Sequence, residues 1–280
     1  MAGPKPNVPI VTESSSYMNG VNLSFTTTTT ITISAGQCKD STNSNYILFQ
    51  NPAVINVRVN GVNGLDVGVL APNTFYAVFA IGDSGANNPN VTFAAGTSGN
   101  QPSVGGGGIF VPGAGLISLS AAAPVLPTGF DMFRRIGYIL TNATAAPNTL
   151  VLKFLQEGHS VDRWMYYDAP IVCLAATAEA AFTPLNINVT NNSVPLTDTN
   201  VLFEATLHPN APADFVALQP GSSTNATGYY ARMSGDVAAV NHIGNMISPC
   251  SNVGGNPTIN YVTDAASTVA LDVVGYLDQL

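Results

Sequence analysis

The clearest pattern in the sequence is an alternation of positions from Phe25 to Ser34. One face would carry Phe25, Thr27, Thr29, Ile31 and Ile33, and the other would carry the intervening Thr and Ser residues. A period of two in a segment rich in β-branched residues predicts a half-buried β-strand and argues against a helix. The short polar side chains of 40–43 then favour a turn, and 46–49 is predicted to be the return strand.

Short segments of the same kind recur along the whole chain, separated by Gly, Pro, Asn and Asp. Turn residues about every 8 to 12 positions are typical of antiparallel sandwiches and jelly rolls. In 201–207 the pattern places Val201, Phe203, Ala205 and Leu207 inward, with Glu204 and Thr206 outward. One helix is considered, at 175–181. The other predicted strands are 54–59, 66–70, 75–81, 91–94, 116–120, 136–140, 150–155, 227–233, 259–262 and 268–276.

The predicted fold is therefore all-β, with antiparallel β-sandwich or jelly-roll-like domains behind an extended N-terminal tail. Residues 1–19 are rich in Pro and Ser and form the tail. Residues 20–168 form the first domain, including a Gly-rich loop at 82–115, and residues 170–280 form the second. The boundary is placed where the aromatic run 164–167 ends.

Composition narrows the classes of partner. Only 9% of residues are charged, against about 25% in an ordinary soluble domain. Neutral polar side chains enter a subunit interface without the desolvation cost of a charge, so repeated burial between copies is favoured over an ordinary monomer. A net charge of −8 would repel a phosphate backbone, which argues against nucleic acid as a partner.

The sequence suggests synthesis in a cytoplasm without export. No apolar run approaches the roughly 20 residues of a membrane span, and the start lacks the apolar core of a secretory signal. Cys38, Cys173 and Cys250 are an odd number at irregular spacing, which favours buried thiols over disulfides or a zinc site. We expect no metal and no cofactor.

Gly82-Asp83-Ser84-Gly85 is the segment most similar to a catalytic motif. A similar string surrounds the nucleophile of trypsin-like proteases, but His159, His208 and His242 all follow Ser84 here, the reverse of the order in those enzymes. A turn after a strand explains the segment better. Without a base and nucleophile pair or paired carboxylates, we expect a protein that is not an enzyme.

Two other groups allow alternative interpretations. Arg134-Arg135 would bind an anionic ligand or pair with Asp131 and Glu157 inside an assembly, and ion pairing is favoured because scarce charges tend to be paired. The aromatic residues would form sugar-stacking platforms or pack in a core or interface, and packing is the commoner fate. These aromatic residues are Trp164, Tyr166 and Tyr167 in one group and Tyr229 and Tyr230 in the other.

Three segments together resemble structural proteins of tailed bacteriophages, including tail-fibre and capsid-associated proteins. They are ITISAGQCKDSTN at 31–43, NGLDVGVLAPNTFYAVFAIGD at 63–83 and LPTGFDMFRRIGYILTN at 126–142. The part of the Gly-rich loop from about 96 to 115 departs from that pattern, and the chain from 170 onward matches no motif of the family beyond its strand-like end. The resemblance implies a virion protein without catalytic residues, acting as a capsid decoration or fibre-like component. The alternative is a tail-fibre or spike protein that binds a host carbohydrate receptor.

The same resemblance implies a homotrimer that contacts other virion proteins. The tail has too few apolar residues to fold by itself, so its order would come from docking on a neighbouring subunit. Val8, Ile10 and Val11 are the expected anchors.

Overall fold

The computed structural model describes residues 17–85, 110–158, 161–188, 192–195, 199–224, 228–264 and 266–280. Within these ranges the fold is all-β, as the sequence predicted, and they include no helix. No helix long and apolar enough to cross a membrane occurs in these ranges either. The predicted strand 91–94, most of the Gly-rich loop and nearly all of the tail lie outside the described residues.

The first part of the chain supplies twelve strands between Met18 and Glu157. They are β1 (Met18–Gly20), β2 (Leu23–Thr27), β3 (Thr30–Ile33), β4 (Gly36–Lys39), β5 (Tyr46–Phe49), β6 (Ala53–Asn56), β7 (Gly64–Leu65), β8 (Phe75–Gly82), β9 (Phe110–Pro112), β10 (Ala114–Ser118), β11 (Met132–Leu140) and β12 (Phe154–Glu157). β1 begins inside the predicted tail, so Met18 and Asn19 belong to the folded part of the chain.

The remaining strands are longer on average. They are β13 (Asp162–Thr177), β14 (Thr183–Asn186), β15 (Thr199–His208), β16 (Phe215–Pro220), β17 (Ala231–Ser234), β18 (His242–Val253), β19 (Asn256–Thr263) and β20 (Thr268–Gln279). The proposed helix at 175–181 was wrong, because its first three residues continue β13 and the rest lie outside any regular element. Ala175 and Ala176 have high helix propensity, but pairing of β13 with β20 holds this stretch extended.

Three sheets enclose one large core. The largest has twelve strands in the order β17-β16-β19-β18-β15-β20-β13-β12-β2-β3-β6, with β14 beside β19. Two four-stranded sheets, β1-β4-β5-β9 and β11-β8-β10-β7, share its core. A smaller cluster around Phe79 and Tyr138 fills the far side of the second small sheet.

The Thr-rich segment forms a hairpin where the sequence predicted one strand. β2 and β3 pair in antiparallel fashion, with a turn at Thr28 and Thr29. Threonine hydroxyls join the two strands near this turn, with a 2.7 Å contact between the Oγ1 atoms of Thr27 and Thr30. The alternation located the extended residues correctly and missed the turn, because threonine suits both a strand and a short turn.

The predicted turn after β4 is confirmed. The buried Asp40 carboxylate accepts the backbone N–H of Ser44 at 2.8 Å and of Asn45 at 3.2 Å, and it accepts the Thr42 hydroxyl at 2.8 Å. The chain at 66–70, by contrast, forms bends and not the predicted strand. β16 and β18 were missed, because Gly, Pro and Asn interrupt the apolar pattern of β18.

The predicted domain boundary at 168–170 lies inside β13, which runs through it as a single strand. The pairing of β13 with β20 shifts between Tyr166 and Ile171, so the strand is irregular at this point. The largest sheet contains strands from both sides of the boundary. A division into two domains stays a prediction, and the hydrogen-bonded sheet is continuous across it.

Candidate interaction surface

One side of the twelve-stranded sheet faces the core and the other side, here named the outer face, does not. Along β15 the burial alternates as predicted, with Val201, Phe203, Ala205 and Leu207 fully buried and Glu204 and Thr206 outward. Paired residues of adjacent strands lie on the same side of a sheet, which allows the outer face to be traced. One row crosses eight strands through Ile247, Leu202, Gly275, Tyr166, Leu155, Ser24, Thr32 and Val54.

The outer face carries several exposed apolar side chains. The side chains of Ile247, Leu155 and Val54 are 43%, 55% and 54% exposed. Ile243 lies on the same side of β18 as Ile247, and its side chain is 68% exposed. Single exposed apolar side chains are ordinary, whereas several on one face of one sheet mark an interaction site. Ile243, Asn245 and Ile247 occupy every second position, as the residues of one strand face do, but the sequence analysis did not predict a strand here.

Two carboxylates face each other within this apolar surface. Glu204 on β15 lies directly opposite Asp272 on β20, and Asn245 and Val172 continue their row on either side. Partial burial raises the pKa of Asp272, and the nearby Glu204 carboxylate raises it further. Like charges in directly opposite positions destabilise a sheet. Among the described residues neither carboxylate forms an ion pair.

The cations of the described chain are engaged elsewhere. Of the eight Lys and Arg residues, Lys5 lies in the segment 1–16, outside the described residues. The other seven each contact a carboxylate, a carbonyl, an amide or an aromatic ring. These residues are Lys39, Arg58, Arg134, Arg135, Lys153, Arg163 and Arg232.

Strand alternation divides the aromatic run at 164–167. Trp164 and Tyr166 lie half-buried on the outer face and stack, with ring centroids 6.0 Å apart and an interplanar angle of 20°. Tyr167 packs against the core, where its hydroxyl donates to the Ser193 carbonyl at 2.6 Å. Burial raises its pKa well above the usual value. The two outer rings therefore belong to a strand surface and not to a loop.

Within the described part of the chain the two adjacent arginines have partners other than Asp131 and Glu157, and pairing with those residues inside an assembly stays a prediction. Arg135 forms an ion pair with Asp278 at 2.7 Å, and Arg134 donates to the Leu280 carbonyl at 3.4 Å. Asp278 is buried, and this desolvation raises its pKa against the lowering effect of Arg135. Asp278 lies 143 residues after Arg135 in sequence, and the fold brings β20 close enough for the two side chains to pair.

Ser84 lies in a turn directly after β8, as predicted. Its backbone N–H donates to the Asp131 carboxylate at 2.7 Å, and its hydroxyl donates to the other oxygen of that carboxylate. These hydrogen bonds lower the pKa of Asp131. These contacts hold the turn after β8 against Asp131, the residue before β11, so Ser84 stabilises the fold at this point.

The three cysteines are free and buried, as the sequence suggested. Burial raises the pKa of the Cys38 thiol to about 12 and that of Cys173 to about 12. Both remain protonated thiols at neutral pH and behave as small apolar side chains.

Comparisons with known proteins add little. No family model and no curated protein matches the sequence. Among solved structures, the insecticidal delta-endotoxin Cry8Ea1 of Bacillus thuringiensis is 10% identical with a TM-score of 0.21, over 94% of this chain and 52% of the toxin. The chain thus spans about half the length of the toxin. A structure of infectious bursal disease virus, Gx strain, is 12% identical with a TM-score of 0.18, over 94% of this chain and 70% of that one. Both TM-scores are too low to indicate a shared fold, and nothing about function follows from them.

Proposed function

We propose that this chain is a structural protein of a virion that binds neighbouring subunits through its outer face and acts by binding, not by catalysis. The observation that carries the proposal is the group of exposed apolar side chains on the outer face of the largest sheet, among them Ile243, Ile247 and Leu155. A monomer in water gains nothing by presenting such a surface, whereas a subunit of an assembly gains free energy when it is covered.

The resemblance of segments 31–43, 63–83 and 126–142 to structural proteins of tailed bacteriophages supports the virion part of the proposal. It favours a capsid decoration or a fibre-like component, assembled as a trimer and located in the particle. The low charge of 9% supports burial between many neutral surfaces.

The outer face has the chemistry to receive the N-terminal segment of a second copy of this chain. Glu204 and Asp272 lie opposite each other with Val172 beside them, and a basic side chain bound there would neutralise the two like charges. Lys5 is the basic residue of the N-terminal segment. Val8, Ile10 and Val11 follow Lys5 in sequence and supply apolar side chains for the surface around Ile243 and Ile247. An extended segment binding across subunits is a common way to link proteins in an assembly.

The test is a charge exchange in the full-length protein, with the mass in solution measured by sedimentation at micromolar concentration. Lys5→Glu and Asp272→Lys are each expected to weaken association at least about tenfold. Lys5→Glu places three carboxylates together, and Asp272→Lys gives Glu204 a partner within the sheet and repels Lys5. The double variant restores opposite charges and is expected to recover association. Lys153→Glu serves as control, since Lys153 pairs with Asp168 at an exposed site and neither residue belongs to the row of Asn245, Glu204, Asp272 and Val172.

A monomeric mass for the wild-type protein at micromolar concentration would refute assembly through copies of the chain. Single variants that behave like Lys153→Glu, or a double variant without recovery, would refute the role of Lys5. Deletion of residues 1–16, which spares β1, is expected to leave the β-fold intact and to abolish incorporation into particles. Labelling the protein in a particle would show whether it belongs to a virion at all.

A further inference from the structure

A cavity of about 700 Å³ opens between β14, β16, β19 and the turn that follows β16. Its floor is one side of a three-strand ladder, because Asn260 of β19 pairs with Gln219 of β16 and with Pro184 of β14. Val262 and Ala217 form the next pair on the same side. The opposite side of these strands, with Leu218 and Ile259, belongs to the core. The floor is therefore held rigidly by the sheet.

Aromatic rings form the walls. Phe182, Phe215 and Tyr229 line the cavity, and the Tyr229 side chain is 53% exposed. The Arg232 guanidinium lies 4.2 Å from the centre of the Phe215 ring and 5.7 Å from that of Tyr229. It holds both rings in place by cation–π contacts without lining the cavity itself. Rings fixed at the rim present flat apolar surfaces to a ligand.

Neutral hydrogen-bonding groups lie beside these rings. The Asn260 amide donates to the carbonyls of Pro220 at 3.3 Å, Gly221 at 3.4 Å and Ser223 at 3.2 Å, which fixes the turn at the edge of the cavity. Ser223 also donates its hydroxyl to the Gln219 amide oxygen at 3.1 Å. Asn260 Oδ1 is buried without a hydrogen-bond partner among the described residues, and a donor that entered the floor would remove the cost of this acceptor.

We infer that this cavity is a binding site for a neutral sugar unit of a glycan. A pyranose ring has an apolar face that stacks on an aromatic ring and hydroxyl groups that both donate and accept hydrogen bonds. The described lining contains no Asp, Glu, Lys or Arg, and the nearby Arg232 guanidinium is engaged with the Phe215 and Tyr229 rings, which favours a neutral ligand. A purely apolar ligand would leave the buried Asn260 Oδ1 without a donor. The site is separate from the row that carries Glu204 and Asp272, and it gives the subunit a second binding activity.

The experiment titrates the full-length protein with the methyl glycosides of glucose, galactose, mannose and N-acetylglucosamine and follows binding by ligand-observed NMR. At least one glycoside is expected to bind with millimolar affinity. Tyr229→Ala is expected to weaken that binding about tenfold, because it removes the stacking surface. Tyr230→Ala is the matched control, since Tyr230 is the next residue, is 61% exposed and does not line the cavity. Both side chains are exposed, so both variants should keep the wild-type unfolding midpoint.

Three outcomes would overturn the inference. They are binding of none of the four glycosides, binding unchanged by Tyr229→Ala, and an equal loss in both variants. A synthetic peptide of residues 1–16 is titrated in parallel. If Tyr229→Ala abolishes binding of this peptide and no glycoside binds, the cavity is a docking site for protein and the sugar assignment fails. Loss of peptide binding in Asp272→Lys but not in Tyr229→Ala would place the peptide at Glu204 and Asp272 and exclude it from the cavity.

Discussion

Replacing Arg163 by alanine is expected to lower the free energy of unfolding by about 4 kcal/mol. Arg163 is fully buried, and its guanidinium donates to the carbonyls of Gly20 at 2.8 Å and Val21 at 2.9 Å. These carbonyls lie at the corner between β1 and β2, where both residues have positive φ angles, +68° and +51°. The truncation would leave a cavity in the core and the carbonyls of Gly20 and Val21 without a donor. Both the lost packing and the lost hydrogen bonds lower the free energy of unfolding.

The charge of Arg163 supports this interpretation. Burial lowers the pKa of its guanidinium to about 10, which still leaves the group protonated at neutral pH. Its donors are therefore present under ordinary conditions, and they join the small sheet that contains β1 to the largest sheet. Urea unfolding followed by circular dichroism would measure the loss.

Arg58→Ala provides the matched control. Arg58 also donates to two backbone carbonyls, those of Pro147 and Thr149, but its side chain is exposed to solvent. Water can replace these contacts, so we expect a loss of about 1 kcal/mol or less. Equal losses in the two variants would show that burial of Arg163 contributes nothing beyond its hydrogen bonds.

Replacing Gly275 by alanine is expected to lower the free energy of unfolding by about 3 kcal/mol. A Cβ at this position would lie 2.4 Å from the Met165 carbonyl oxygen and 3.2 Å from Cδ1 of Tyr166. The backbone has little freedom to move, because β20 is paired with β13 on one side and with β15 on the other. The strand must shift in the middle of the largest sheet to accept one methyl group.

Gly244→Ala tests whether this cost comes from the backbone contact. The added Cβ would meet the Met233 sulfur at 2.8 Å, at the flexible end of a side chain that can rotate away. We expect a change within about 1 kcal/mol, measured by the same urea titration. A Gly275→Ala variant as stable as Gly244→Ala would show that β20 is free to adjust at this point.

Much of the fold could be predicted from sequence because its signals are local. The alternation along 201–207 identified both the strand and the side of each residue, since successive side chains of any strand point to opposite faces. The turn at Asp40 was predictable for a similar reason, because a short carboxylate can accept N–H groups a few residues later in the chain. The burial of the cysteines and the all-β fold class were also predictable from the residue types in the sequence.

The candidate surface was decided by tertiary structure. Ile247, Gly275, Tyr166 and Leu155 share one row although they come from distant segments, and only the order and register of the strands bring them together. The same holds for the pairing of Arg135 with Asp278 and for the carboxylates of Glu204 and Asp272. Alternation along a strand specifies which side a residue faces, whereas its neighbours on that side depend on hydrogen bonds to other strands. Those pairings are selected by burial of the whole core, so no single segment of the sequence contains them.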